Sequence, residues 1–256
     1  MSDARVSVAP GVELEDDDLE ILHEFPFGVG GATAWWTVDS AKVDAGDVMP
    51  NMLQNLVEYG FPLGRDYTKT IPVVEVQSDV TTDKHLAADM RNPSPGTGIR
   101  YGYDLASRPA AGTIALVFAR HGAGWSVLEI FGYQVWMRAG EWRVTTAGQS
   151  TPGMDLAVTR VPLPPEGGLC VLAVAWEGDF VTLAVGAAGA TDSQSGNWAV
   201  PTDPANRVRL RIPNGTSSTA SVGMKFMAAA IWPGRIDAQT LRTNVIASAK
   251  KFFGIA

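Results

Sequence analysis

The chain holds a single cysteine, Cys170. No disulfide can form within it, so oxidative stapling does not hold the fold together and a reducing cytosol suits its assembly. Cys170 lies in the apolar run Leu169-Cys170-Val171-Leu172, where a lone thiol reads as a small buried hydrophobe. No histidine stands near it to make it a nucleophile. Histidine is itself scarce, with three in 256 residues. His23, His85 and His121 show no i, i+4 spacing, which speaks against a zinc site. A Gly-x-Ser-x-Gly elbow is missing, as are a phosphate loop and a dinucleotide fingerprint. No apolar run approaches the ~20 residues that cross a bilayer, and the acidic N-terminus lacks the basic and apolar regions of a signal peptide. Membrane insertion is not expected, and synthesis in the cytoplasm is. Positive charge is short as well: 20 Lys and Arg stand against 27 Asp and Glu, a net charge of -7. That balance gives no basic footprint for nucleic acid and favours solubility.

What is present is apolar and rich in turns. Hydrophobic residues make up 46 % and charged ones 18 %, with 27 Gly and 16 Pro. A chain of this length buries a sizeable core, and all-β chains of this size are often one domain. Residues 1–30 read as an extended N-terminal arm. Its run from Glu13 to Glu20 is dense in carboxylates but lacks calcium-loop spacing, so a solvated acidic face is the reading. Residues 31–98 read as an irregular N-terminal part with strands at Ala34 to Val38 and Val73 to Val76. Between them Asp47 is placed to cap a short helix. Val48, Met52, Leu56 and Tyr59 recur at three- and four-residue steps, with Gly60 as its stop.

From residue 99 to 256 the texture becomes that of a core sandwich. Short apolar strands follow one another at roughly ten-residue spacing, separated by Gly, Pro, Asn and Asp. Candidates run from Ile99, Gly112, Trp125, Gln134, Glu141, Met154, Leu169, Phe180, Arg207 and Val222. Glu177-Gly178-Asp179 reads as a tight hairpin. Leu210 and Ile212 alternate with Arg209 and Arg211, a half-buried strand with a basic outer face. A C-terminal helix starts at the N-cap Asp237, lines one face with Leu241, Val245 and Ile246, and places Lys250 and Lys251 at its negative end. Phe252 and Phe253 are expected to anchor the tail on the core.

Three pieces of this order resemble the concanavalin-A-like (laminin-G-like) jelly roll: Gly112 to Ala119 followed by Trp125 to Leu128, the hairpin Leu172 to Val185, and Ala228 to Trp232 with the helix from Ile236. The resemblance covers a little over half the chain. It implies a mainly β jelly-roll sandwich with one short N-terminal and one C-terminal helix. Catalytic members of that fold carry E-x-D-x-x-E on a strand, which puts paired carboxylates on one face. Here Glu129 and Asp155 each stand alone in their strands, and the expectation is a protein that is not an enzyme. Of the eight tryptophans, Trp125, Trp136, Trp142, Trp176 and Trp232 fall in or beside strands, where such rings fill cores. Trp198 falls in a polar loop and is the candidate for contact with a glycan or a protein, together with Asn197 and Asp192. Metal-dependent lectins of the fold take Asp and Asn ligands from loops, which makes Asp192, Asn197 and Asp203 the candidates should Ca²⁺ be bound. No other cofactor is expected.

Taken together, these readings point to a structural or adhesion component of a phage or phage-like particle, released by lysis. Its partners would be other particle proteins or copies of itself, with cell-surface glycans met by the outward-facing sandwich. The alternatives are a free lectin-like carbohydrate-binding module and, further off, a glycan-degrading enzyme with an atypical site.

Overall fold

The computed structural model describes residues 25–50, 52–57, 62–65, 71–90, 101–104, 109–121, 126–130, 133–138, 141–146, 156–158, 160–197, 209–212 and 223–256. In chain order the described strands are β1 (Ala34–Thr37), β2 (Met52–Leu53), β3 (Leu63–Arg65), β4 (Val73–Gln77), β5 (Lys84–Asp89), β6 (Tyr101–Asp104), β7 (Ala111–His121) and β8 (Ser126–Ile130). They continue with β9 (Tyr133–Arg138), β10 (Glu141–Thr146), β11 (Leu156–Val158), β12 (Leu169–Glu177), β13 (Phe180–Ala187), β14 (Ala190–Asn197), β15 (Arg209–Ile212) and β16 (Gly223–Trp232). Helical residues follow as α1 (Ala238–Thr240), a π-helical stretch Leu241–Ile246, and α2 (Ala247–Phe252).

Two antiparallel sheets form the sandwich. The first runs β14-β13-β12-β7-β16-β5-β4, with β1 also on β16, and the second runs β11-β10-β9-β8-β15-β6-β3-β2. Period-two alternation decides which side chains lie between them. Ile114, Leu116 and Phe118 of β7 join Leu172, Val174 and Trp176 of β12 and Val181, Leu183 and Val185 of β13. Facing them from the second sheet are Ile130, Val135, Met137, Trp142, Val144, Leu210 and Ile212. Phe118 and Trp142 meet edge to face across this layer at 6.2 Å.

The first sheet is apolar on its other side too. Ala115, Val117 and Ala119 of β7, with Val171, Ala173 and Ala175 of β12, pack under Leu241, Val245, Ile246, Ala249 and Phe253. This double burial is why β7 and β12 read as unbroken apolar runs rather than as alternating ones. The helix begins where expected: the Asp237 carboxylate accepts from Gln239 N at 2.9 Å and Thr240 N at 3.0 Å. Gly186 lets the helix come close, since a Cβ there would meet Ile246 Cγ2 and lie 3.2 Å from Lys250 Cδ. Phe25, Phe27, Trp35 and Trp232 extend the cover in an edge-to-face cluster. Of the two tail phenylalanines, Phe253 is buried and Phe252 is 36 % exposed.

Among the described residues the short N-terminal helix expected from Asp47 is not formed, and its expected end at Tyr59 and Gly60 lies outside them. Val48 bridges Pro72, Met52–Leu53 is a strand on β3, and Met49 N donates to Ile71 O at 2.8 Å. The Asp47 carboxylate turns backward to accept from Asp44 N at 2.9 Å, so it caps no forward turn. Long-range β pairing outweighs a helical periodicity of only four residues. A 3-10 turn at Val38–Ala41 stands earlier in the chain. The segment expected to be irregular holds β3 and β5 as well as β4. Residues 1–24 of the expected arm lie outside the described residues.

Candidate functional site

The two sheets differ on their outward sides. Leu210 and Ile212 of β15 point into the interlayer core, so Arg211 between them points outward. It is nonetheless buried, at 7 % exposure, which corrects the reading of this strand as half-buried with a solvated basic face. In register, Arg211 faces Glu129 on β8 and Gly102 on β6, and Glu129 faces Gln134 on β9. Glu129 is 0 % exposed and Gln134 8 %. The outward side of the second sheet thus carries a cross-strand row of Arg211, Glu129 and Gln134, all buried.

The local sequence explains the geometry. Gly102 lies beneath Arg211: a Cβ there would run into Leu210 O and sit 3.0 Å from Arg211 Cδ and 3.1 Å from Nη1. The arginine therefore lies down across the strand, and its Nη1 donates to Leu210 O at 2.9 Å. Beyond Gly102 the row continues to Gly64 on β3. A Cβ at Gly64 would meet only Gly102 O, at 3.7 Å. The two glycines leave room on the sheet for the recumbent Arg211 side chain, which occupies the space over Gly102. Trp136 on β9 is half-buried. On β10, Arg143 Nε donates to Glu141 Oε2 at 3.0 Å.

A directly opposed arginine compensates part of the cost of burying a carboxylate, which is several kcal/mol per ion (order of magnitude). Chemically, the row offers one carboxylate able to accept or donate a proton, a planar cation able to hold two oxygens at once, and an amide.

The residues chosen from the sequence do not converge. Residues 190–197 form the edge strand β14 rather than a loop. Asp192 pairs with Val185 and faces the interlayer core at 6 % exposure. Its Oδ2 makes no hydrogen bond. Asn197 is exposed and pairs with Phe180. The odd spacing puts Asp192 and Asn197 on opposite faces, so they share no cation. Trp198 and Asp203 lie outside the described residues. Among the described residues no three His, Cys, Asp or Glu side chains are grouped to hold a metal ion. Cys170 is buried, with Sγ 3.5 Å from Phe118 O, and desolvation pushes its thiol pKa well above the ordinary value.

No family model matches the chain, and no curated protein does. Solved structures do. An arabinofuranosidase complexed with arabinofuranosyl-α-1,2-xylobiose matches 87 % of this chain and 60 % of its own, with a TM-score of 0.55 and 13 % identity. A GH54 α-L-arabinofuranosidase soaked with a cyclic sulfate inhibitor matches 88 % and 60 %, with a TM-score of 0.54 and 12 % identity. Trypanosoma rangeli sialidase in complex with 2,3-difluorosialic acid matches 86 % and 34 %, with a TM-score of 0.53 and 9 % identity. The chain therefore spans 60 % or less of the length of these proteins, and at such identities the likeness is one of fold. It corrects the expectation that the chain is not an enzyme. Chains of an arabinofuranosidase and a sialidase contain this fold, so a missing E-x-D-x-x-E strand is no ground for excluding catalysis.

Proposed function

We propose that the chain is a glycan-active β-sandwich that takes a sugar chain across the outward side of its second sheet. Glu129 is the carboxylate it brings to the sugar, and Arg211 and Gln134 orient hydroxyl groups. The observation that carries this reading is the row of three buried polar side chains on the side away from the interlayer core. Burying charged groups is poor value for stability alone, because apolar replacements of similar size are often as stable. A buried carboxylate on a sheet face is a candidate for proton transfer. The fold likeness to glycan-active proteins supports the same ligand class.

The test is a panel of polysaccharides with reducing-end release and pull-down as readouts, run on the wild type, Glu129→Gln and Arg211→Lys. Loss of both readouts in well-folded variants supports the site. Unchanged binding and release in both variants would sink it. Placement in a phage-like particle is a further part of the proposal, resting on the N-terminal arm, residues 1–30, as an assembly segment. Removal of residues 1–24 should then abolish incorporation and leave the sandwich folded.

A further inference from the structure

A second polar cluster sits where β12 turns into β13, at one end of the first sheet. Its centre is Arg235, in the connection between β16 and the C-terminal helix. The backbone there is fixed from both sides by one buried hydroxyl: Thr113 Oγ1 donates to Gly234 O at 2.9 Å and accepts from Ile236 N at 2.9 Å. The guanidinium sits over an aromatic ring, with Cζ 4.4 Å from the centre of Phe180. Its Nε is buried and makes no hydrogen bond. Glu177 Oε2 lies 3.9 Å from Nη1, beyond hydrogen-bonding length. Glu177 is 67 % exposed and the arginine side chain 26 %.

Stacking and a pinned backbone therefore hold this cation, rather than a carboxylate. It is preorganised and only loosely compensated, which lowers the ordering cost of taking a ligand. A planar fork of this kind matches a carboxylate with two parallel hydrogen bonds. Asn197, exposed on β14, faces Phe180 in the β13–β14 register. Directly opposed residues have Cβ atoms about 4.5–5.5 Å apart, so its side chain leaves the sheet on the same face as the ring that carries the arginine.

We propose that this corner binds the carboxylate of an acidic sugar, with Arg235 as the bidentate donor and Asn197 on a neighbouring hydroxyl. The ligand class rests on the glycan reading above; the site is separate from the Glu129 row. Glu177 is a competing acid that the ligand displaces.

The test is calorimetric titration of the full chain with trigalacturonate and with galactotriose, its uncharged counterpart. Trigalacturonate should bind and galactotriose should bind at least ~10-fold more weakly, a difference of about 1.4 kcal/mol. Arg235→Gln and Arg235→Lys should each weaken trigalacturonate about tenfold or more, because lysine keeps the charge but loses the fork. Glu177→Gln should tighten trigalacturonate binding by roughly 2- to 5-fold, the size of an exposed charge interaction. A merely structural arginine would not produce that opposite sign. Equal affinity for the two trisaccharides, or trigalacturonate binding unchanged in Arg235→Gln, overturns the proposal and leaves the Glu129 site standing. Failure of the chain to engage any glycan in either experiment overturns both.

Discussion

The outward side of the first sheet and the outward side of the second are built from the same number of strands and serve different ends. The first is covered by the C-terminal helix and an aromatic cluster, with Ala and Val beneath them. The second keeps Glu129, Arg211 and Gln134. Covering one side of a sheet with apolar chain frees the strands of that sheet to be apolar throughout, and stability is concentrated there. The other sheet, whose strands alternate, can then hold costly polar groups on its outward side without losing the common interlayer core. In this sandwich one outer face is sealed by apolar chain and the other carries a buried polar row.

The largest effects should fall where this division is broken by truncation. Phe253→Ala empties a fully buried site under the helix and should cost about 3–5 kcal/mol in chemical denaturation, with little effect on glycan engagement. Glu129→Leu should destabilise by a similar amount, roughly 3–5 kcal/mol, because it leaves Arg211 buried without the acid opposite it. The double variant Glu129→Leu with Arg211→Met sharpens the contrast. It should recover wild-type stability to within ~1–2 kcal/mol and lose reducing-end release from polysaccharide. If the single and double variants were equally unstable, the row would be structural and the contrast between the faces would collapse.

A smaller effect, about 1 kcal/mol, is expected for Asp237→Ala at the helix cap. The hydrogen bonds from the Thr240 side chain and backbone hold the Asp237 carboxyl below the ordinary carboxylate pKa. A depressed folded-state value contributes stability above the unfolded pKa, and that contribution fades as pH falls through the folded one. Wild type and Asp237→Ala should therefore differ at neutral pH and converge in acid. The smallest effect is on Cys170: Ellman's reagent should label it only on denaturation, since burial both shields the thiol and disfavours the thiolate.

The strands were legible where burial is strong. The runs around Ile114, Leu172 and Ala229 are apolar enough to be read without a structure, and Asp237 announces its helix by a local hydrogen-bonding rule. The polar strand β14 was not legible: Ala190–Asn197 lies at a sheet edge, where exposure removes the hydrophobic signal. The segment after Asp47 carried a helical rhythm that pairing with Ile71 and Pro72 overrode. Glu129 stood alone in sequence because its neighbours come from other strands. Arg211 and Gln134 reach it only through β-ladder register, and a run of alternating arginines gives no sign that one of them is buried. Gly102 was the available clue, a glycine inside a strand with no turn to explain it.

By its sequence alone, this chain determined that it would form a mainly β sandwich closed by a C-terminal helix, because apolar periodicity and capping act over a few neighbouring residues. Only the tertiary structure decided which charged residues meet, which outward face is sealed and which keeps its polar row. Those outcomes depend on register between strands distant in sequence, where a shift of one residue sends every side chain to the opposite face.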